Sequence, residues 1–155
     1  MDAARSRPPV AGWIVWSLRV TTVTHLVMVL AQAVLAGMFI TGDVDLLRVH
    51  SVVGQVASGV VTLQFVAAIL LWRPGGGAAW PLWLSLLLTA LEGVQHTTGF
   101  NRTLDLHIPL GMLIFGLSAV MTTWACGRIE RGPDGPAQDA EERPTPEVPA
   151  GRSPA

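Results

Sequence analysis

The chain has 155 residues, half of them apolar and only 14% charged, with a mean hydropathy of +0.47. That is too little charge to coat a soluble domain of this size, so a lipid bilayer is the expected solvent and an all-α integral membrane protein the expected class. A formal net charge of −1 gives no electrostatic basis for binding nucleic acid, and a single cysteine, Cys126, excludes an intrachain disulfide and a multi-cysteine metal site.

Residues 1–10 form a short polar segment expected to be disordered and cytoplasmic. Four apolar runs follow, at about 12–40, 44–72, 78–99 and 104–126. Each is long enough to cross a hydrocarbon core of roughly 30 Å, which takes about 20 residues at 1.5 Å rise. Arg5 and Arg7 precede the first run and Ala31-Gln32-Ala33 lies within it, which is the pattern of a signal peptide. Its length, together with Arg19 and His25 inside it, argues for a retained helix instead. The links Thr41-Gly42-Asp43, Arg73-Pro74-Gly75-Gly76-Gly77 and Phe100-Asn101-Arg102-Thr103 are short and made of turn residues. Short links make successive helices antiparallel neighbours, so the expected architecture is an up-down four-helix transmembrane bundle over residues 11–126. Residues 127–155, rich in Pro, Gly, Glu and Arg, read as a disordered tail.

Arginine placement sets the expected orientation. Arg5, Arg7, Arg73, Arg128 and Arg131 fall at one face of the bundle, while the other has Arg48 and Arg102 beside Asp43, Asp45 and Asp105. By the positive-inside rule the first face is cytoplasmic, which puts both termini inside a plasma membrane of bacterial inner-membrane type. All six tryptophans, Trp13, Trp16, Trp72, Trp80, Trp83 and Trp124, fall at the arginine-rich helix ends, where indoles favour the headgroup boundary.

Each predicted helix carries one histidine: His25, His50, His96 and His107. Ionisable groups inside a bilayer are costly and turn toward the bundle interior, where they are functional candidates by default. Counted from the helix ends, all four sit in the outer half of the bilayer, in one layer about 10 Å thick. Helical spacing puts Ser17, Thr21, His25, Met28 and Gln32 on one face of the first helix. Similar stripes are His50, Gly54, Ala57, Val61 and Gln64 on the second, Ser85, Thr89, Glu92 and His96 on the third, and His107, Gly111, Ile114 and Ser118 on the fourth.

Helices two and four share the pattern H-x3-G-x4-G, as His50, Gly54, Gly59 and His107, Gly111, Gly116, so the chain reads as two hairpins related by a pseudo-twofold axis. Gly54 and Gly111, one turn deeper on the histidine's face, give the clearance that a flat macrocycle ligated by the imidazole needs. Gly59 and Gly116 are expected to serve helix packing.

This pattern resembles membrane cytochromes of b type, and more narrowly one four-helix half of haem A synthase. The stretch Leu106-His107-Ile108-Pro109-Leu110-Gly111 is similar to the histidine-led start of that half's fourth helix, and His50 matches the ligand position on its second. The resemblance implies a haem b held by His50 and His107 near the outer membrane face, with Gly54, Gly111, His25 and His96 around it. Electron transfer or haem handling would be the role, and a redox partner or a second copy of the chain the companion. The outer-loop cysteine pair of that family is absent, as is an acidic residue just ahead of His50, so synthase chemistry is not part of what the resemblance implies.

Glu92 lies four residues before His96 on one face, near the mid-plane. A lone charge there is expensive, so a pairing with His25 or His96 is expected, with proton handling as its sharper form. Two other readings stay open: a transition-metal site built from three histidines and Glu92, and a non-catalytic membrane module whose polar layer only sets helix register.

Overall fold

A computed structural model describes residues 10–127, and these are all-helical. The elements are α1 (Gly12–Ile40), α2 (Leu46–Trp72), α3 (Trp80–Phe100) and α4 (Leu104–Gly127). The two terminal segments expected to be disordered lie outside the described residues, save for residues 10 and 127.

Local chemistry ends the helices where the turn residues stand. Thr41 turns its hydroxyl back to the Gly37 and Met38 carbonyls in the last turn of α1, which also accept from the Thr41 and Asp43 N–H groups. Gly42 follows with φ of 127°, a backbone state closed to other residues, and reverses the chain. Pro74 has no N–H to continue α2, and Pro81 stands in the first turn of α3, where a missing N–H costs nothing. Pro109 lies inside α4, but the helix starts at Leu104, with the His107 N–H bonded to the Thr103 carbonyl. The proline therefore sits within the first turns after His107 rather than beginning the helix.

The four helices form a closed ring in which each packs against its sequence neighbours and α1 also packs against α4. Across the two diagonals, α1 to α3 and α2 to α4, no Cα pair comes within 8 Å. The ring is filled at the tryptophan end by Ile14, Leu18, Ala67, Ala68, Leu71, Leu82 and Met121. Alanines at 67 and 68 allow close approach of the helices there. A second apolar cluster at mid-height contains Val29, Val61, Leu88, Leu110 and Ile114. Above it, toward the 41–45 and 101–103 turns, the interior is polar and partly hollow.

Three of the helices, α1, α2 and α4, are long and apolar enough to cross a membrane, with mean hydropathies of 2.0, 1.8 and 1.7. The fourth expected span differs. Helix α3 is long enough but shorter than the others and carries Ser85, Thr89, Glu92, Gln95, His96, Thr97 and Thr98, which lower its apolar character. The inward stripes run through Leu18, Thr22, His25 and Val29 on α1, and through Ile114, Ser118 and Met121 on α4. His96 departs from its expected stripe and is exposed at the seam between α2 and α3. Gly59 and Gly116 depart as well. Both are exposed, and a Cβ at either would meet nothing within 4 Å, so neither mediates packing within the bundle.

Candidate functional site

The polar end of the bundle is built in two levels, each taking one residue from every helix. The outer level holds Gln32 of α1, His50 of α2, Gln95 of α3 and His107 of α4. His50 Nδ1 lies 3.1 Å from the Gln32 carbonyl oxygen, and His107 Nδ1 lies 3.1 Å from the Gln95 carbonyl oxygen. A carbonyl only accepts, so each Nδ1 carries the hydrogen and each Nε2 keeps its lone pair. The two imidazoles come from diagonally opposed helices, yet their centroids are 6.3 Å apart with planes tilted by 58°. Phe39 packs its edge against His50 at 5.4 Å. His107 rests on Gly99, where a Cβ would come within 2.9 Å of the imidazole, so only glycine admits the ring at this position.

The glycines below the two histidines are filled by glutamine. A Cβ at Gly54 would meet the Gln32 carboxamide nitrogen at 2.6 Å, and one at Gly111 would meet that of Gln95 at 3.0 Å. The clearance expected for a macrocycle is thus taken by carboxamides, one from the neighbouring helix of each hairpin. Gln95 Nε2 reaches His107 Nε2 at 3.4 Å and donates to its lone pair. The Oε1 atoms of both glutamines are buried without a hydrogen-bond partner.

The inner level holds His25, Ser58, Glu92 and Ser118. His25 is fully buried and Glu92 nearly so. His25 Nε2 meets Glu92 Oε1 at 3.1 Å, and His25 Nδ1 meets the Ser118 hydroxyl at 3.2 Å. Ser58 donates to the other carboxylate oxygen at 3.4 Å and also lies 3.4 Å from His96 Nδ1. Further down, Gln64 donates to Ser85 and Thr122 to the Thr22 carbonyl, which ties helix pairs together without opening a space.

A cavity of about 510 Å³ opens beside the two levels, between α1 and α4. Its polar wall consists of His50, His107, Gln32, Gln95 and Glu92, and the rest is apolar. This is the size of a site for a small molecule or cofactor.

No family model, curated protein or solved structure matches the chain.

Of the residues singled out in the sequence, the structure brings His50, His107, Gly111 and Glu92 to the cavity wall. His25 lies one level deeper, Gly54 is buried behind the Gln32 carboxamide, and His96 faces Ser58 at the outer seam. His25 thus lies one level below His50 and His107, a separation of about 5–10 Å at helical rise. Among the described residues no group of three or more His, Cys, Asp or Glu side chains gathers as a metal ion requires, so the site of three histidines plus Glu92 has no geometry to rest on. Sequence reasoning missed Gln95, Gly99, Thr98 and Ser58. Gln95 had a readable signal: like Gln32, it is a carboxamide inside a helix that packs beside a histidine-bearing one.

Proposed function

We propose that the chain is a multi-pass membrane protein that holds one b-type haem between His50 and His107 and passes single electrons. The observation that carries this reading is the spacing of the two imidazoles across the bundle. Two imidazoles on one iron bind through Nε2 from opposite sides, with metal–nitrogen bonds of about 2 Å, which sets their ring centroids roughly 6 Å apart. The 6.3 Å separation across the bundle diagonal matches that requirement. Both Nδ1–H groups are already committed to carbonyls, the second-shell arrangement that fixes the tautomer and orientation of a ligating histidine. The adjoining cavity gives room, and its apolar α1 and α4 walls suit a porphyrin face.

A haem bound there supplies a one-electron iron couple. His50 and His107 would hold the iron, and with two protein ligands the group would supply electron transfer. Attachment is non-covalent, because Cys126, the one cysteine, lies at the opposite end of α4. Gln32 and Gln95 hold the two rings through their carbonyls, and the Gln95 carboxamide would give up its bond to His107 Nε2 for that nitrogen to hold the group.

Membrane insertion rests on separate observations. Val20, Val23, Val27, Leu30 and Val34 are exposed along α1. The tryptophans collect at one end, with Trp13, Trp16 and Trp83 each more than 60% exposed. Helix α3 completes the bundle as a fourth span whose polar face is turned to its neighbours. With the arginine asymmetry, the site lies near the outer face and both termini are cytoplasmic. The resemblance to one half of haem A synthase agrees in helix number and depth.

The test is the visible spectrum of detergent-purified protein expressed with ample haem. The expected result is a sharp low-spin Soret band, lost in His50→Ala and in His107→Ala. Absence of haem absorption from the wild type overturns the reading and leaves a structural module with a buried polar interior. Reporter fusions in the 41–45 turn and after Ala155 are expected on opposite sides of the membrane.

A further inference from the structure

The inner level is more than a set of buried bonds, because it is continuous with an exposed residue. His96 Nδ1 approaches the Ser58 hydroxyl, Ser58 donates to Glu92 Oε2, Glu92 Oε1 meets His25 Nε2, and His25 Nδ1 meets Ser118. The chain of groups therefore starts at an exposed imidazole on the α2–α3 seam, about one turn from the end of α3, and finishes at a fully buried one. Every member can both give and take a proton. Glu92 also forms part of the cavity wall that carries His50 and His107.

We propose that His96, Ser58, Glu92 and His25 form a proton-uptake path, and that the Glu92–His25 pair takes up one proton when the site between His50 and His107 gains one electron. The inference rests on the reading of that site as a one-electron centre. The electron comes from a one-electron reductant and the proton from water at the outer surface. His96 accepts that proton at Nε2 and releases the one on Nδ1 to Ser58. The Ser58 hydroxyl passes its own hydrogen to Glu92 Oε2, and no other bond forms or breaks.

Coulomb's law makes the linkage large enough to matter. The two levels are between about 5 and 10 Å apart, counted as three residues along α3 and seven along α1. At roughly 10 Å and an effective permittivity of about 20, one unit of charge changes proton affinity on the order of tenfold. The titratable groups around the pair are His50 from α2, His96 on α3 itself and His107 from α4, with His25 supplied by α1. At the level of the pair, α2 and α4 present only the hydroxyls of Ser58 and Ser118.

The experiment is a redox titration of the purified holoprotein at a series of pH values, with uptake followed by a pH-indicator dye after rapid reduction. The wild type is expected to lose potential as pH rises, by about 59 mV in all, the equivalent of a tenfold change in proton affinity, with a steepest slope of about half that per pH unit. Glu92→Gln is expected to keep the low-spin spectrum and flatten the slope. Ser58→Ala is expected to keep the slope but slow proton uptake at least tenfold, which a merely structural hydroxyl would not do. A wild type with the low-spin spectrum and a pH-independent potential overturns this inference and leaves the haem reading standing. A wild type without haem absorption overturns both.

Discussion

The hairpins α1–α2 and α3–α4 build the same half-site from dissimilar sequences, and then part company one level down. In each, a glutamine carbonyl accepts from the Nδ1 of a histidine on the next helix, and the same glutamine lays its carboxamide over a glycine four residues beyond that histidine. At the inner level the first hairpin contributes His25 and Ser58, the second Glu92 and Ser118. A base on one side faces an acid on the other. The outer level thus repeats its carbonyl-to-imidazole bond in both hairpins, as the proposed haem held from two faces would require, while the inner level sets a histidine against a carboxylate.

That contrast sets how equivalent substitutions should behave. The largest effect is expected at the outer histidines, and it is expected to be equal: His50→Ala and His107→Ala each lose the low-spin haem spectrum completely, whereas His25→Ala retains it. Optical titration of the purified variants with haem checks this. A spectrum that survives either outer substitution breaks the symmetry on which the site is argued.

The inner level is expected to show coupling instead of equality. Glu92→Ala strands His25 and Ser58, and His25→Ala strands a nearly buried carboxylate; each is expected to cost about 1–3 kcal/mol, the penalty of an unsatisfied buried polar group. The double variant is expected to cost less than the two singles together, with a coupling of about 0.5–3 kcal/mol in a double-mutant cycle. Thermal unfolding in one detergent measures all four corners. Strict additivity shows the pair to be independent.

The glycines below the histidines sharpen the comparison at smaller scale. Alanine at Gly54 meets the Gln32 carboxamide at 2.6 Å, and alanine at Gly111 meets that of Gln95 at 3.0 Å. Both contacts are with the ends of flexible side chains, so the cost is moderate. Gly54→Ala is expected to lose about 1 kcal/mol, at the low end for overpacking, and Gly111→Ala less. Equal losses would show that the two carboxamides are held with equal firmness.

Much of this architecture is legible in the amino-acid sequence. Apolar runs and the clusters of turn residues between them place the four helices within two residues of their observed ends. The pairing of Glu92 with a histidine follows from the cost of a buried charge. Helical spacing does not reveal how a face is shared. His96 falls on the same stripe as Glu92, yet its ring is exposed at a seam between two helices and bonds to the backbone of its own turn. Nor does spacing say what fills the space above a glycine, because the Gln32 and Gln95 side chains arrive from another helix.

The smallest expected effect concerns Gly59 and Gly116, the second glycines of the two matched motifs. Both face outward, and a Cβ at either meets nothing within 4 Å, so the backbone-entropy cost of glycine in a helix is met there without any packing return within the bundle. Alanine at either position is expected to stabilise the protein by about 0.5–1 kcal/mol, equally in the two hairpins. Small residues on lipid-facing helix surfaces are also where a second copy of a chain approaches closely. The measurement is therefore made on the two variants side by side, with unfolding temperature and oligomeric state read together. An equal gain marks both faces as lipid-exposed and extends the pseudo-twofold relation to the outside of the bundle. A loss at one of them, with a fall in oligomeric state, places a subunit contact on that hairpin alone and ends the equivalence at the surface.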